Sequence, residues 1–210
     1  MTLLPSPTNA RNSSGAKQLV LGSSSPFRRE LLERLGLAFE CHSPEIDESR
    51  LPGEPPRDLA RRLAEAKAKA VARHYPEAWV IGSDQVAVID EQILGKPGTP
   101  EKACHQLAQA SGRSVIFLTG LCLIAPDGVI QTDVIPFTVH FRSLSELEIQ
   151  RYVEREQPLN CAGSFKSEGL GITLLEAMEG DDPTALIGLP LIRLSAMLRE
   201  SGLDPLMTSS

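Results

Sequence analysis

The 210-residue chain predicts an α/β fold, and three observations carry that expectation. An apolar stub at 19–21 runs straight into a helical pattern, a strongly periodic helix over 57–74 precedes a strand of core composition at 79–90, and a hairpin over 115–141 leads into a helix opened by a capping box. Strands and helices therefore alternate along the chain, with one hairpin among them.

The stub at 19–21 is followed by Ser23, Ser24, Ser25, Pro26, Phe27, Arg28 and Arg29. Ser25 is a favoured N-cap, Pro26 suits the first helical position, and Gly36 can take the left-handed turn that closes the helix. Such a junction presents hydroxyls, free backbone N–H groups and two guanidinium groups at one point, which describes a phosphate cradle. Arg28 and Arg29 fall in the first turn, where positive charge opposes the helix dipole, and a bound anion would remove the conflict. The alternative is that both arginines are solvated surface residues.

A short strand is expected at 38–41, followed by a loop at 43–56 carrying Glu45, Asp47, Glu48 and Glu54. Four carboxylates so close repel one another unless cations are near. They form either a solvated acidic loop or a source of hard oxygen ligands for a divalent metal. The helix at 57–74 buries Leu59, Leu63, Ala66 and Ala70 on one face. Lys67 lies roughly 60° from the centre of that face, so its stem packs at the edge while its ammonium can enter a neighbouring cleft.

The strand at 79–90 is apolar at Val80, Ile81, Val86, Val88 and Ile89, yet its middle reads Gly82, Ser83, Asp84, Gln85. A buried carboxylate is costly without partners, which makes Asp84 the leading catalytic candidate. The alternative is a bulge or strand end where Asp84 binds backbone N–H groups. Asp90 and Glu91 turn the chain into 92–94, and Lys96 follows on a loop from which it can reach phosphates or simply meet solvent. Thr99 and Pro100 open a helix to about 110.

Pro126, Asp127 and Gly128 form the turn of the hairpin, and Ile135, Phe137, Val139 and Phe141 alternate along its second strand. Ser145 with Glu148 makes the capping box of a helix to about 156. The loop at 161–171 holds three glycines together with Lys166 and Glu168, so backbone can approach a ligand closely there. A strand at 172–178, an acidic turn at 180–183 and a helix at 189–200 complete the chain.

Composition narrows the function. A net charge of −6 argues against nucleic acid as a partner, so an anionic ligand should be small and held by local cations. Neither a membrane-spanning segment nor a signal peptide is expected. Cys41, Cys104, Cys122 and Cys161 form no Cys-x-x-Cys pair and the four histidines are scattered, which argues against a zinc site or disulfide framework and fits a cytoplasmic protein. Residues 1–16, rich in Ser, Pro, Asn and Thr, read as a flexible tail, and 17–210 as a single domain.

Six blocks, at 21–32, 43–48, 64–68, 81–86, 95–97 and 161–169, resemble the Maf-like nucleotide pyrophosphatases, within them the branch that includes the bacterial YceF proteins. The resemblance implies an elongated mixed sheet split into two lobes around a deep cleft, often in a homodimer. It further implies hydrolysis of a nucleoside triphosphate between the α and β phosphates with magnesium or manganese. Carried over by position, Asp84 is the proton acceptor or a metal ligand, and Ser23, Arg28, Glu48, Lys67 and Lys96 handle phosphate and metal. Base choice falls on Phe27, where the family often has tryptophan, and on Gln85 and Glu168. The Gln and Glu pair is associated with 7-methyl-GTP, whereas the branch acting on dTTP and UTP has Thr and Gln there. Phe27 also lies on the helix stripe with Leu31 and Leu35, so core packing competes with base stacking. The rival functions are hydrolysis of dTTP or UTP, and nucleotide-binding regulation of septum formation.

Overall fold

A computed structural model describes residues 18–207, so the tail expected over 1–16 lies outside the described residues. The chain runs β1 (Leu19–Gly22), α1 (Pro26–Glu33), β2 (Glu40–Cys41), α2 (Pro56–Ala72), β3 (Trp79–Ile89), β4 (Gln92–Leu94), α3 (Pro100–Ala110), β5 (Ser114–Ile124), β6 (Ile130–Phe141), α4 (Glu146–Glu156), β7 (Leu175–Glu179), α5 (Pro183–Ile187) and α6 (Leu191–Glu200). The strands form one mixed sheet in the order β2-β1-β3-β5-β6-β7, with β4 also on β3. β1 is parallel to both neighbours and all other pairs are antiparallel.

The site is created by a fork at β3. One edge of β3 is covered by β5 from Val80 to Val88. On the other edge, β1 pairs with Trp79–Gly82 and β4 with 87–89, so among the described residues no strand covers 83–86 between them. The polar residues in the middle of β3 therefore stand where the sheet divides.

Two separate cores build the two lobes. Leu19, Leu21, Ile81 and Leu121 pack with Leu194 and Met197 of α6 on one side of the fork. Phe117, Phe137, Leu107, Tyr152 and Phe165 form the other core under α3 and α4. Helix α2 lies on the opposite face of the sheet and touches both β3 and β5. Its approach is unusually close because the sheet offers glycines beneath it. A Cβ on Gly82 would stand 2.2 Å from the Ala64 carbonyl oxygen, and one on Gly120 would stand 2.1 Å from that of Ala60.

Local signals behave as their chemistry requires. Ser25 and Thr99 cap α1 and α3, and Ser145 and Glu148 form a reciprocal capping box on α4. Asp90 and Glu91 take positive φ values of 42° and 68° in the tight β3–β4 turn. Two expectations need correction. Of the strand expected at 172–178, β7 is present from Leu175, while the first three positions belong to a 3₁₀ turn over Leu170–Leu174. Its backbone groups are taken locally, Leu170 N by the Glu156 carboxylate and the Thr173 and Leu174 carbonyls by Arg142. The acidic turn at 180–183 is followed by an unexpected helix, α5, which begins at Pro183 with Asp182 as its N-cap, buried at 3 % exposure.

Candidate active site

A cavity of about 740 Å³ occupies the fork, and all nine residues singled out from the sequence line it. Four cations, Arg28, Lys67, Lys96 and Lys166, line it with three carboxylates, Glu48, Asp84 and Glu168, and Lys166 Nζ also pairs with Glu156 at 2.8 Å, so the cavity gathers local cations in a chain of net charge −6.

The basic turn forms one wall. The Ser25 hydroxyl accepts from Arg28 N at 3.4 Å, and the Ser23 hydroxyl accepts from Ser25 N at 3.1 Å. Arg28 Nε donates to the Gly188 carbonyl at 2.8 Å, and its Nη1 lies 3.5 Å from Ser23 Oγ. Burial pushes the Arg28 pKa down, against the raising effect of the Asp84 and Glu48 charges. Arg29 turns to solvent and pairs with Glu33 at 3.2 Å. The two arginines thus divide the alternatives: Arg28 belongs to the cavity and Arg29 to the surface.

Asp84 forms the opposite wall. It sits in unbroken register with β5, opposite Gly120, so the bulge and strand-end alternatives do not apply. Side chains alternate across a sheet, and Asp84 projects to the α2 face. There Lys67 Nζ lies 2.6 Å from Asp84 Oδ1 and 2.9 Å from Glu48 Oε1. Both Lys67 and Asp84 are buried, at 7 % and 8 % exposure. The close seating of α2 on Gly82 and Gly120 brings this lysine within reach.

The acidic loop serves several purposes. Glu54 accepts from Arg62 Nε at 2.6 Å and Nη2 at 2.9 Å, and from Leu51 N at 3.1 Å. The Arg62 bond holds its pKa down at about 2 against the opposing effect of burial. Asp47 accepts from Ser49 N at 2.8 Å within a local turn. Of the four loop carboxylates, Glu48 is the one that lines the cavity. Burial pushes its pKa up, but the Lys67 hydrogen bond and the charges of Lys67, Lys96 and Arg28 outweigh this and hold it below the ordinary value. Lys96 stands exposed on the 95–97 loop at the cavity rim.

The three candidate base contacts also share the cavity, with different degrees of freedom. Phe27 is half-buried and belongs to neither lobe core, and Lys166 Nζ lies 5.7 Å from its ring centroid. Gln85 projects from β3 to the face opposite Asp84. Its amide nitrogen donates to Thr119 Oγ1 and to the Ala185 and Leu186 carbonyls at 2.8–3.0 Å. Glu168 is exposed and accepts from the Ser167 hydroxyl at 2.9 Å.

A family model for Maf-like proteins matches residues 18–201. The chain belongs to the Maf-like family. Two curated relatives named 7-methyl-GTP pyrophosphatase are similar to this Maf-like chain. The one from Pseudomonas aeruginosa is 60% identical over 187 residues, covering 89% of this chain and 97% of that protein. The one from Nitrosococcus oceani is 58% identical over 185 residues, covering 88% and 93%. Among solved structures, the nucleoside-triphosphatase or dITP/XTP pyrophosphatase of Mycobacterium abscessus aligns with TM-score 0.44 at 17% identity over 87% of this chain and 93% of that one. The Staphylococcus aureus Ham1 protein aligns with TM-score 0.42 at 16% identity, covering 62% and 73%.

The donor set of this Maf-like cavity can be matched to a metal. Glu48 and Asp84 converge on one point and offer hard carboxylate oxygens, the type that magnesium and manganese prefer. Among the described residues no group of three His, Cys, Asp or Glu side chains could form a complete cage. Two carboxylates fit a divalent cation whose remaining ligands are water and substrate phosphate. Among the described residues, no helix is long and apolar enough to cross a membrane.

Sequence reasoning passed over two supports of this site. The carbonyls of the short helix α5 anchor it, because Ala185, Leu186 and Gly188 accept from Thr119, Gln85, Ser83 and Arg28. Asp182 fixes α5 by accepting from Thr184 N at 3.1 Å and from Ile192 N of α6 at 2.8 Å. The second support is Gln106 on α3. It accepts from Ser164 Oγ at 2.5 Å and donates to the Gly95 carbonyl at 3.1 Å, tying the Lys96 loop to the glycine-rich loop. The Asp-Pro-Thr sequence at 182–184 carried a capping signal for α5, whereas a lone glutamine on a helix carries none.

Proposed function

We propose that this Maf-like protein hydrolyses the α–β phosphoanhydride of 7-methyl-GTP, releasing the nucleoside monophosphate and pyrophosphate. The observation that carries the reading is the fork at β3, which sets Asp84 and the Ser23–Arg28 turn on facing walls of one nucleotide-sized cavity. The names of the two close relatives support the choice of substrate. Residues 17–210 act as one catalytic unit, since the cavity walls come from segments as distant as Ser23 and Ile187. A nucleotide substrate and free thiols at all four cysteines suit the cytoplasm.

In this reading the α1 N-terminus, the Ser23 hydroxyl and Arg28 bind the phosphate tail. Lys67 and Lys96 offset the charge that moves onto the departing pyrophosphate, in a partly enclosed site where such interactions are stronger than in water. Asp84 orients the attacking water and accepts its proton. Glu48 and Asp84 would hold magnesium or manganese, which when bound supplies charge neutralisation and polarises phosphate oxygens.

At the base end, the 7-methylated guanine ring is cationic and gains from an aromatic face and a carboxylate. Phe27 and Glu168 supply those partners, and the ammonium already resting over Phe27 supports a cation-accepting face. Gln85 contributes through its carbonyl oxygen, its amide nitrogen being engaged with Thr119 and α5. The test is pyrophosphate release from a panel of nucleoside triphosphates with magnesium and with manganese. Fastest turnover of 7-methyl-GTP is expected. Preference for dTTP or UTP overturns the base assignment, and binding without pyrophosphate release overturns the hydrolase reading in favour of a regulator.

A further inference from the structure

Lys67 occupies an unusual position for a helix lysine. Its ammonium is buried between Asp84 and Glu48, the two carboxylates proposed as metal ligands, and contacts both. Arg28 and Lys96 line the same cavity and add further positive charge. The pair of carboxylates therefore already has its countercharge within the protein. A divalent ion arriving alone would meet ligands already neutralised by Lys67, in a cavity whose charges balance once Lys166 is paired with Glu156, and with too few protein donors to replace its hydration shell. A triphosphate tips that balance, because its negative charges engage Arg28, Lys67 and Lys96 and bring phosphate oxygens as ligands.

We infer that Lys67 is the resident counter-cation of the Glu48–Asp84 pair, and that a divalent metal is taken up only together with the polyphosphate of the nucleotide. The inference rests on the metal role given to Glu48 and Asp84 under the proposed function and adds an order of binding to it. The metal–nucleotide complex is the species the cavity accepts, and the free protein is a poor metal binder. Loss of the Lys67 charge leaves two uncompensated carboxylates side by side, an arrangement that attracts a divalent cation.

The experiment is a manganese titration followed by the electron paramagnetic resonance signal of free Mn²⁺, so that no turnover is needed. It uses the wild-type chain, Lys67→Gln and Lys67→Met, each with and without the α,β-methylene analogue of 7-methyl-GTP, and the analogue alone as the control for its own chelation of Mn²⁺. Wild type should leave the free signal unchanged without the analogue, and with it should deplete the signal beyond what the analogue alone removes. Both variants should bind Mn²⁺ alone, about tenfold or more tighter than wild type does. Tight binding of Mn²⁺ by wild type without the analogue overturns the inference, and that arm decides even if a variant fails to fold. Folded variants, verified by circular dichroism, that gain no affinity overturn it as well. Absence of Mn²⁺ binding by wild type with the analogue, in a preparation that still hydrolyses 7-methyl-GTP, overturns the metal role of Glu48 and Asp84 while leaving the hydrolase reading standing.

Discussion

Asp84 lies directly opposite Gly120 across the β3–β5 register, so the buried carboxylate has a neighbour without a side chain. The missing side chain admits α2 rather than the ligand, because a Cβ on Gly120 would stand 2.1 Å from the Ala60 carbonyl oxygen. Gly82, two residues before Asp84 on the same face, makes the same allowance for Ala64. These positions set the distance between helix and sheet, and hence the reach of Lys67 to Asp84.

Gly120→Ala and Gly82→Ala should therefore push α2 outwards. Overpacking of this kind destabilises by about 1–3 kcal/mol, readable as a lower urea midpoint. Activity should fall further than stability under native conditions, since the Lys67–Asp84 contact lengthens with the helix displacement. A Gly120→Ala protein with wild-type kcat and unchanged urea midpoint contradicts the argument.

Asp84→Asn keeps the size of the side chain while removing the proposed base and one carboxylate. We expect kcat for 7-methyl-GTP to fall by about 10²- to 10⁴-fold, with an unaltered circular dichroism spectrum. Near-normal turnover would remove Asp84 from the mechanism.

The elements that create the site were legible to different degrees. Asp84 stood out because a carboxylate in an apolar strand needs a reason, and Lys67 because helical periodicity placed it beside a buried face. The fork could not be read from sequence, since it depends on β1 and β4 sharing one edge of β3, and pairing partners are not written in local pattern. Helix α5 has five residues, too few to display a period, so its capping signal at Asp182 read as an acidic turn. Phe27 fell on a helical stripe with Leu31 and Leu35, yet the cavity interrupts the packing at that end of α1 and leaves the ring half-buried.

Gln106 bridges two loops that carry site residues, and Ser164, its partner, is fully buried with a positive φ of 57°. Gln106→Ala leaves the Ser164 hydroxyl without this acceptor and the Gly95 carbonyl with only its 3.4 Å bond from Gly163 N. A loss of about 1–3 kcal/mol is expected for an unsatisfied buried polar group, divided between stability and nucleotide affinity. Steady-state kinetics should show KM rising more than kcat falls, because Gln106 acts by holding the loops. A pure loss of kcat at unchanged KM contradicts that role.

Glu54 gives the fold a defined acid response. Its carboxyl is held at about 2 against an ordinary 4.5, chiefly by the hydrogen bond from Arg62, so the folded state binds the proton less readily than the unfolded state. The stabilisation is fully present above the unfolded pKa of 4.5 and is lost as pH falls towards 2. Glu54→Gln lacks it at every pH. Urea midpoints of the two proteins should therefore differ at neutral pH and converge between about pH 5 and pH 2. A constant gap across that range would assign the effect of the substitution to lost packing.

Glu168→Gln tests the base end of the cavity without disturbing the phosphate end. The exposed carboxylate accepts from Ser167 alone among the described hydrogen bonds, so the fold should tolerate the change. The substitution removes an anion facing a cationic ring and replaces one acceptor oxygen with a donor. Discrimination between 7-methyl-GTP and GTP, measured as the ratio of their kcat/KM values, should drop by about 1–3 kcal/mol, while kcat with GTP changes little. Phe27→Leu should weaken the same ratio through loss of the aromatic face, and because both side chains are assigned to one base, the effects should depart from additivity in the double variant. An unchanged ratio in both variants would separate base choice from these two residues and leave Gln85 as the remaining assigned base contact.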